Sequence, residues 1–325
     1  MLRKEKLNDA AYIFCLNAEI EHMLSRKGAS IKPEKNTTYY KQSLAFAKEP
    51  DSRKEEYLRC ASVTASMLAD MNREYFRAYS QEYTTYHAPS RRATNSHDGR
   101  DLIFTSSDGY SFGVSIGRFP SAQDRPALFF SDNNKIRLLD ISDAWFGTGA
   151  MSLKYISSME PYSEFIQNNL GKKWNEVFPG SETKYSSLYL PILNLLKYEV
   201  EYQCNRGAYA VQSFVRHFFG DEDYYLVSLH PDINRVRISA YDVNGKLAIG
   251  KQYSEELLPT ELIDIRFKEK AGSVSNTTLH LTFNNGWVMN MRLRTTDSVI
   301  RSGPRLEIDF KDSIPYRLFF QECYW

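Results

Sequence analysis

The chain has little of what marks a disulfide-linked, zinc-binding or membrane-spanning protein. Its four cysteines lie far apart and form no CxxC pair, so neither a zinc ribbon nor a disulfide framework is indicated. The six histidines show no HxxxH spacing. No segment approaches the ~20 consecutive apolar residues of a membrane-spanning helix, and the first residues hold no apolar run long enough for a signal peptide. We therefore expect reduced, buried thiols and a cytoplasmic protein.

An excess of one charge is also missing. The 325 residues include 41 lysines and arginines and 40 aspartates and glutamates, which gives a formal net charge of +1. This balance excludes a uniformly basic surface but allows a locally basic cleft, because electrostatic steering depends on where the charges lie. Hydrophobic residues make up 42% and charged residues 25%, as in soluble globular proteins. The length suffices for one large domain or two modest ones.

Helical periodicity dominates the first two thirds of the sequence. Asn8 and Asp9 can cap a first helix that runs to about Arg26, and Gly28 is the residue expected to stop it. An irregular polar connection is predicted over 29–50, with some helix near 41–46, and a polar loop over 84–100. Further helices are predicted at about 52–80, 153–170, 185–203 and 209–219.

The segment from Asp98 to Gly117 predicts a β-hairpin among these helices. Asp108-Gly109 is a strong turn signal between two β-type runs. Because side chains alternate along a strand, Ser115 and Gly117 are expected on one side of the second run. The opposite side receives three apolar residues, Phe112, Val114 and Ile116. A short strand is predicted near 135–141.

From Asp223 onward, apolar and polar residues alternate with a period of two. Strands are predicted at 224–230, 235–242, 262–268, 278–283, 287–294 and 306–310. Asn244-Gly245 and Asn285-Gly286 are typical of hairpin turns. The sequence thus predicts an α+β protein in which a helix-flanked mixed sheet precedes an antiparallel β-rich C-terminal region. The two regions are expected to cover 1–220 and 221–325, or to form one continuous domain.

Several segments resemble, in their order and spacing, the HaeIII-like type II restriction endonucleases, a branch of the PD-(D/E)xK nuclease superfamily. The early segments are NDAAY (8–12), DGRDLIF (98–104), FGVSIG (112–117) and AWFG (144–147). The later ones are LIDIRFK (262–268), TTLHLTFNNGWVMNMRLR (277–294), PRLEIDF (304–310) and the terminal Trp325. The resemblance implies a PD-(D/E)xK core, double-stranded DNA as partner, and Mg²⁺-dependent cleavage at a short site, GGCC for the name-giving member.

The resemblance carries the family's catalytic residues over only in part. Asp101 matches the metal-binding Asp that opens a strand, and Asp98 is a second acidic candidate for the metal. Ser115 matches the residue two positions before the catalytic Lys, and Gly117 occupies the lysine position itself. Ile13 stands where the first helix would carry a metal-supporting Glu. The implied catalytic centre therefore lacks both its Lys and its Glu.

These departures predict weak or absent cleavage. Mg²⁺ usually takes one or two carboxylates together with phosphate and water, so Asp101 alone would hold it weakly. The lysine would orient or deprotonate the attacking water and stabilise charge on the phosphate. Losing one such group costs roughly 10²- to 10³-fold in rate, about 3–4 kcal/mol. Lys135, on the next predicted strand, is the candidate replacement, whereas Arg118 is expected to face the other side.

Eight arginines are expected to contact DNA. They are Arg91, Arg92, Arg100, Arg118, Arg292, Arg294, Arg301 and Arg305. The three before the hairpin suit phosphate contacts. The four near the C-terminus lie in or between the segments with the strongest family likeness. Bidentate arginine to guanine is the commonest specific major-groove contact, which suits a G/C-rich site.

Three functions stay open at this point. The first is a DNA-recognising homologue with an eroded catalytic centre, acting as a silent binder, a regulatory protein, or the partner of an active subunit or cognate methyltransferase. The second is a working Mg²⁺-dependent endonuclease that uses Asp101 and Lys135. The third is an interaction protein that has kept the fold and lost DNA binding; neither it nor a silent binder would need a metal cofactor. The sequence leaves the oligomeric state open.

Overall fold

The computed structural model describes residues 8–72, 82–88, 100–117, 145–147, 151–219, 222–247, 257–270, 273–295, 298–301, 303–309 and 319–325. The chain divides into two compact units, each discontinuous in sequence. Unit 1 comprises Met1–Ser121, Gly220–Leu257 and Arg317–Trp325, and unit 2 comprises Ala122–Phe219 and Leu258–Tyr316. The strand predicted at 135–141 lies outside the described residues.

The helices of unit 1 begin close to the predicted positions. Helix α1 spans Asp9–Arg26, and the Asn8 side chain caps it by accepting a backbone hydrogen bond at 3.1 Å. Gly28 follows with φ +81°, a left-handed conformation that glycine adopts without steric cost, so the predicted stop is confirmed. Helix α2 spans Thr37–Ala47 and α3 spans Asp51–Met71, while 73–80 of the predicted second helix lie outside the described ranges.

Seven strands form the mixed sheet of unit 1, in the order β1-β2-β3-β4-β5-β6-β11. In sequence, β1 to β6 are Ser30–Glu34, Glu82–His87, Leu102–Ser106, Ser111–Gly117, Tyr224–His230 and Arg235–Tyr241, and β11 is Phe320–Tyr324. The β1–β2 and β4–β5 pairs are parallel and the other four pairs are antiparallel. The predicted mixed sheet is therefore confirmed.

Strands β1, β2 and β11 are corrections to the sequence-based assignment. The first lies in the predicted irregular connection, the second overlaps the predicted loop, and the third follows the last predicted strand. The reason is clearest in β2, whose core face includes Thr85 and His87, both fully buried. The Thr85 hydroxyl donates to Glu21 at 3.2 Å, the His87 ring is hydrogen-bonded to Gln42, and burial lowers the pKa of His87 to about 4. Polar side chains that are hydrogen-bonded at least once can line a core, and composition alone does not reveal them. The second ring nitrogen of His87, Nε2, has no hydrogen-bond partner among the described residues.

The apolar core of unit 1 is formed by α1, α3 and one face of the sheet. Its strand residues include Phe104 and Phe112, whose rings stack with centroids 4.9 Å apart. Ile13, on α1, is 6% exposed and belongs to the same cluster. The position predicted as a vacant Glu site is thus occupied by a core side chain.

Unit 2 combines helices with a separate antiparallel sheet. The helices are α4 (Leu153–Gln167), α5 (Trp174–Val177), α6 (Ser181–Lys184), a π-helix (Tyr185–Tyr189), α7 (Leu190–Cys204) and α8 (Ala208–Phe219). They confirm the three helical stretches predicted between 153 and 219. The strands are β7 (Leu262–Lys270), β8 (Ser273–Phe283), β9 (Val288–Arg294) and β10 (Arg305–Asp309), in the order β10-β9-β8-β7.

The hairpin between β8 and β9 forms at the predicted Asn-Gly pair. Asn285 has φ +61° and Gly286 has φ +88°, left-handed conformations that asparagine and glycine adopt most readily. The Phe283 N–H donates to the Trp287 carbonyl at 2.9 Å across the turn. The inward face of these strands contains Leu279, Leu281, Met289, Met291 and Leu293, all fully buried. Helix α7 contacts β7 and β8, whereas Arg292 and Arg294, which alternate with the buried residues of β9, are exposed.

All four cysteines are free, as expected from their spacing. Burial raises the pKa of Cys15, Cys60 and Cys204 to about 12, which keeps these thiols protonated and unreactive. Among the helices that the structure describes, none is long and apolar enough to cross a membrane.

We predict that Ile13→Glu strongly destabilises unit 1, because a carboxyl group enters an apolar core without a partner. The free energy of unfolding in urea should fall by about 3–5 kcal/mol. Ile13→Val, which removes one methyl group, should cost only about 0.5–1.5 kcal/mol. Near-equal stability of the two variants would show that position 13 is solvated.

Candidate catalytic hairpin and arginine strands

The candidate catalytic hairpin is built by strands β3 and β4. Asp101 immediately precedes β3, and its backbone N–H donates to the Val114 carbonyl at 2.8 Å. Since Leu102 pairs with Val114 in this antiparallel ladder, Asp101 lies opposite Ser115. The Asp101 carboxylate also accepts the backbone N–H of Ile116 at 2.6 Å. Backbone contacts of β4 therefore fix both the position and the orientation of this carboxylate.

Strand alternation separates the core face of β4 from the candidate site. Phe112 and Val114 are fully buried in the core of unit 1, whereas Ser115 is partly exposed on the other face. Gly117 ends β4 two residues further along, so it belongs to the face of Ser115. The structure thus brings together Asp101, Ser115 and position 117. Ile13 is not part of this group, because it lies in the core of unit 1, against which the opposite face of β4 packs.

The cross-strand neighbours of Gly117 include one cation. Gly117 pairs with Ser228 on β5, and Ser228 pairs with Arg237 on β6. The Arg237 guanidinium lies 3.8 Å from the centre of the Phe320 ring, and its Nη1 is 3.7 Å from Glu322 Oε1. Both contacts direct this side chain towards β11. Arg237 is therefore held away from the lysine position.

The described residues do not by themselves make a Mg²⁺ site. They contain no group of three or more His, Cys, Asp or Glu side chains placed to hold a metal ion. Asp101 contributes a carboxylate, but one of its oxygens already accepts the Ile116 N–H, and Ser115 offers a neutral hydroxyl. Mg²⁺ requires near-octahedral oxygen coordination, which this pair does not fill. Asp98, the second acidic candidate, lies outside the described ranges.

Arg100 packs on the sheet beside the hairpin. Its side chain crosses Gly113, where an added Cβ would come within 1.9 Å of Arg100 Cδ. Its Nη1 lies 3.8 Å from Glu222 Oε2, and 14% of the side chain is exposed. Glycine at 113 therefore makes room for the arginine. Phosphate contact by Arg100 stays a prediction.

A buried pair of aspartates borders the start of β5. Asp223 precedes β5, Asp242 follows β6, and the two strands pair so that these residues are opposed. Asp223 is 4% exposed and accepts backbone N–H groups of Asn244 and Lys246 at 2.8 and 2.9 Å. Asp242 is 1% exposed and accepts the Leu247 N–H at 3.0 Å. Burial, and then the neighbouring Asp223, raise the pKa of Asp242 to about 7.

Sequence reasoning missed this pair although a signal was present. The two aspartates flank a predicted antiparallel pair at the same end, and the predicted Asn244-Gly245 turn follows at once. In the structure Gly245 has φ +70°, and the segment of this turn wraps around the Asp223 carboxylate. The turn therefore serves to satisfy a buried acid.

The predicted arginine contacts of unit 2 lie on adjacent strands. On β9, Arg292 and Arg294 are exposed, while Met291 and Leu293 are buried. The ladder with β10 pairs Arg294 with Arg305. Arg301 is exposed in the segment between these strands. Four predicted positions thus belong to one edge region of this sheet. Arg91, Arg92, Arg118 and Lys135 lie outside the described residues.

We predict that Asp242 makes stability fall as the pH rises. Its pKa in the folded protein, about 7, exceeds its ordinary value of 3.8, so the folded state holds a proton that the unfolded chain releases. The free energy of unfolding should therefore decrease between about pH 4 and pH 7. Asp242→Asn should flatten this decrease, because an amide can accept from Leu247 and donate to Asp223 without ionising. Asp264→Asn, at a partly exposed position on β7, is the control. An unchanged pH profile in Asp242→Asn contradicts the assignment.

Comparison with known proteins finds relatives over nearly the whole sequence. The family model described as HaeIII restriction endonuclease matches residues 9–312. The type II restriction enzyme HaeIII of Haemophilus aegyptius is 23% identical over 337 residues, an alignment that covers 100% of this chain and 99% of that protein. No solved structure matches the chain. Because the family model spans nearly the whole sequence, the chain belongs to the HaeIII restriction endonuclease family.

Proposed function

We propose that this protein recognises a short, G/C-rich duplex DNA site through a PD-(D/E)xK-like core and cleaves it weakly or not at all. The observation that carries the proposal is the arrangement of the β3–β4 hairpin. An aspartate at the strand start lies opposite Ser115, and a glycine stands two residues further on the same face. These positions match the spacing of a metal-dependent nuclease site, but the lysine ammonium of such a site is missing.

DNA recognition is supported by family membership and by the charges of unit 2. The similar protein from Haemophilus aegyptius is named a type II restriction enzyme, and restriction enzymes act on DNA. Arg292 and Arg301 are exposed and have no ion-pair partner within the described ranges. Unpaired, exposed arginines suit phosphate and guanine contacts.

Weak cleavage follows from the chemistry of the three positions. Restriction endonucleases generally use Mg²⁺, and Asp101 is the carboxylate best placed to contribute to its binding. Ser115 can hydrogen-bond a water molecule, but its hydroxyl carries no charge that would help bind the metal. At position 117, glycine supplies neither a proton acceptor for water nor a positive charge for the phosphate. Each such loss costs about 3–4 kcal/mol of transition-state stabilisation.

We predict salt-dependent DNA binding that depends on Arg292. Fluorescence anisotropy with a GGCC duplex should show a linear fall of log affinity with log salt concentration. Arg292→Gln should weaken binding by about 1–3 kcal/mol if the guanidinium contacts a base. Arg266→Gln is the matched control, because Arg266 lies on β7 of the same sheet and is ion-paired with Asp264 at 3.4 Å. Absence of any salt-dependent binding would favour an interaction protein without DNA.

We predict that Gly117→Lys increases Mg²⁺-dependent cleavage by roughly 10²- to 10³-fold. Plasmid nicking and linearisation provide the measurement, and Gly117→Met controls for the length of the new side chain. The gained activity should disappear in the double variant with Asp101→Asn. Wild-type cleavage that Lys135→Ala abolishes would instead establish a relocated lysine. If Gly117→Lys folds and binds DNA yet gains no activity, the eroded-centre description is wrong.

A further inference from the structure

A lysine surrounded by aromatic rings marks the junction of α6 and the π-helix in unit 2. The Nζ atom of Lys184 lies 5.9 Å from the ring centre of Trp174, 5.9 Å from that of Tyr185 and 5.5 Å from that of Tyr189. Rings at this distance attract a cation through their quadrupoles. The π-helical turn sets the two tyrosines beside the lysine, and such turns are frequent at functional sites.

The Lys184 ammonium lacks a carboxylate partner among the described residues. The ammonium donates a hydrogen bond to the hydroxyl of Thr295 at 3.2 Å. Burial lowers the pKa of Lys184. Aromatic faces and a hydroxyl replace water only partly, so the desolvated charge is incompletely compensated. An anion bound beside Lys184 would compensate the remaining charge of the ammonium.

The position of Lys184 also connects it to the predicted DNA-contacting strand. Thr295 directly follows Arg294 at the end of β9, and the Tyr189 side chain is hydrogen-bonded to the same threonine. Tyr189 lies close enough to Arg292 for its titration to respond to that charge. Lys184, in its cage of Trp174, Tyr185 and Tyr189, is therefore hydrogen-bonded to the end of strand β9, which carries the exposed arginines.

We propose that Lys184 contacts a backbone phosphate of bound duplex DNA, next to the contacts made by Arg292 and Arg294. This inference rests on the proposed DNA recognition and adds a residue and a segment to it. The ammonium is a point charge suited to phosphate, and the cage restricts its motion, so less conformational entropy is lost on binding. Because phosphate contacts carry no sequence information, Lys184 adds affinity without choosing the site.

The decisive variant is Lys184→Met in the full chain. Methionine keeps an unbranched apolar side chain for the cage and removes the charge. DNA affinity should fall on the order of 3- to 10-fold, equally on GGCC and unrelated duplexes, and the slope of log affinity against log salt should shrink by about 1. Lys184→Arg should restore most of the affinity and the slope.

Lys197→Met is the matched control, since Lys197 lies on α7 of the same unit with its Nζ 3.9 Å from Glu201. It should bind DNA like the wild type. Thermal unfolding of every variant separates loss of charge from loss of fold. If Lys184→Met is folded and its affinity and salt slope equal those of the wild type, the cage is only structural and the inference is overturned while DNA recognition stands. If the wild type itself shows no salt-dependent binding, both proposals fall.

Discussion

The pairing of strand β4 on both of its edges is the constraint on which the candidate site depends. On one edge, the backbone of β4 accepts from Asp101 N–H and donates from Ile116 N–H to the Asp101 carboxylate. On the other edge, β4 runs parallel to β5. A shift of one residue would turn Ser115 into the core and expose Val114. The burial of the apolar face thus fixes which residues stand beside Asp101.

The near-zero net charge conceals both paired and unpaired cations. In unit 1, three described arginines meet carboxylates: Arg100 lies near Glu222, and Arg235 and Arg237 share Glu322. In unit 2, Lys197 and Arg266 are also ion-paired, whereas Lys184 and Arg292 have no ion-pair partner within the described ranges. Paired cations stabilise a fold modestly, whereas unpaired ones remain available for an anionic ligand.

Buried ionisable groups show how each unit satisfies the charges that its fold encloses. The Asp223 and Asp242 carboxyl groups take backbone N–H groups from the turn after β6. In unit 2, the Glu199 carboxylate accepts from the backbone and hydroxyl of Ser152, which caps α4, and from Gln203. In unit 1 these carboxyl groups hold the turn after β6, and in unit 2 Glu199 holds the first residue before α4.

Sequence alone determined the elements whose signals are local. Asn8 and Gly28 delimit α1, Asn285-Gly286 closes the β8–β9 hairpin, and the alternation of the 111–117 run assigns the faces of β4, because caps, left-handed turns and period-two burial act over a few residues. Tertiary structure alone decided the rest. Strand β2 needs partners from distant segments for Thr85 and His87. Asp223 meets Asp242 only once β5 pairs with β6, and Lys184 reaches Thr295 across 111 positions of sequence. Contacts between polar groups that are distant in sequence produce no repeating pattern along the chain, so only the folded structure shows them.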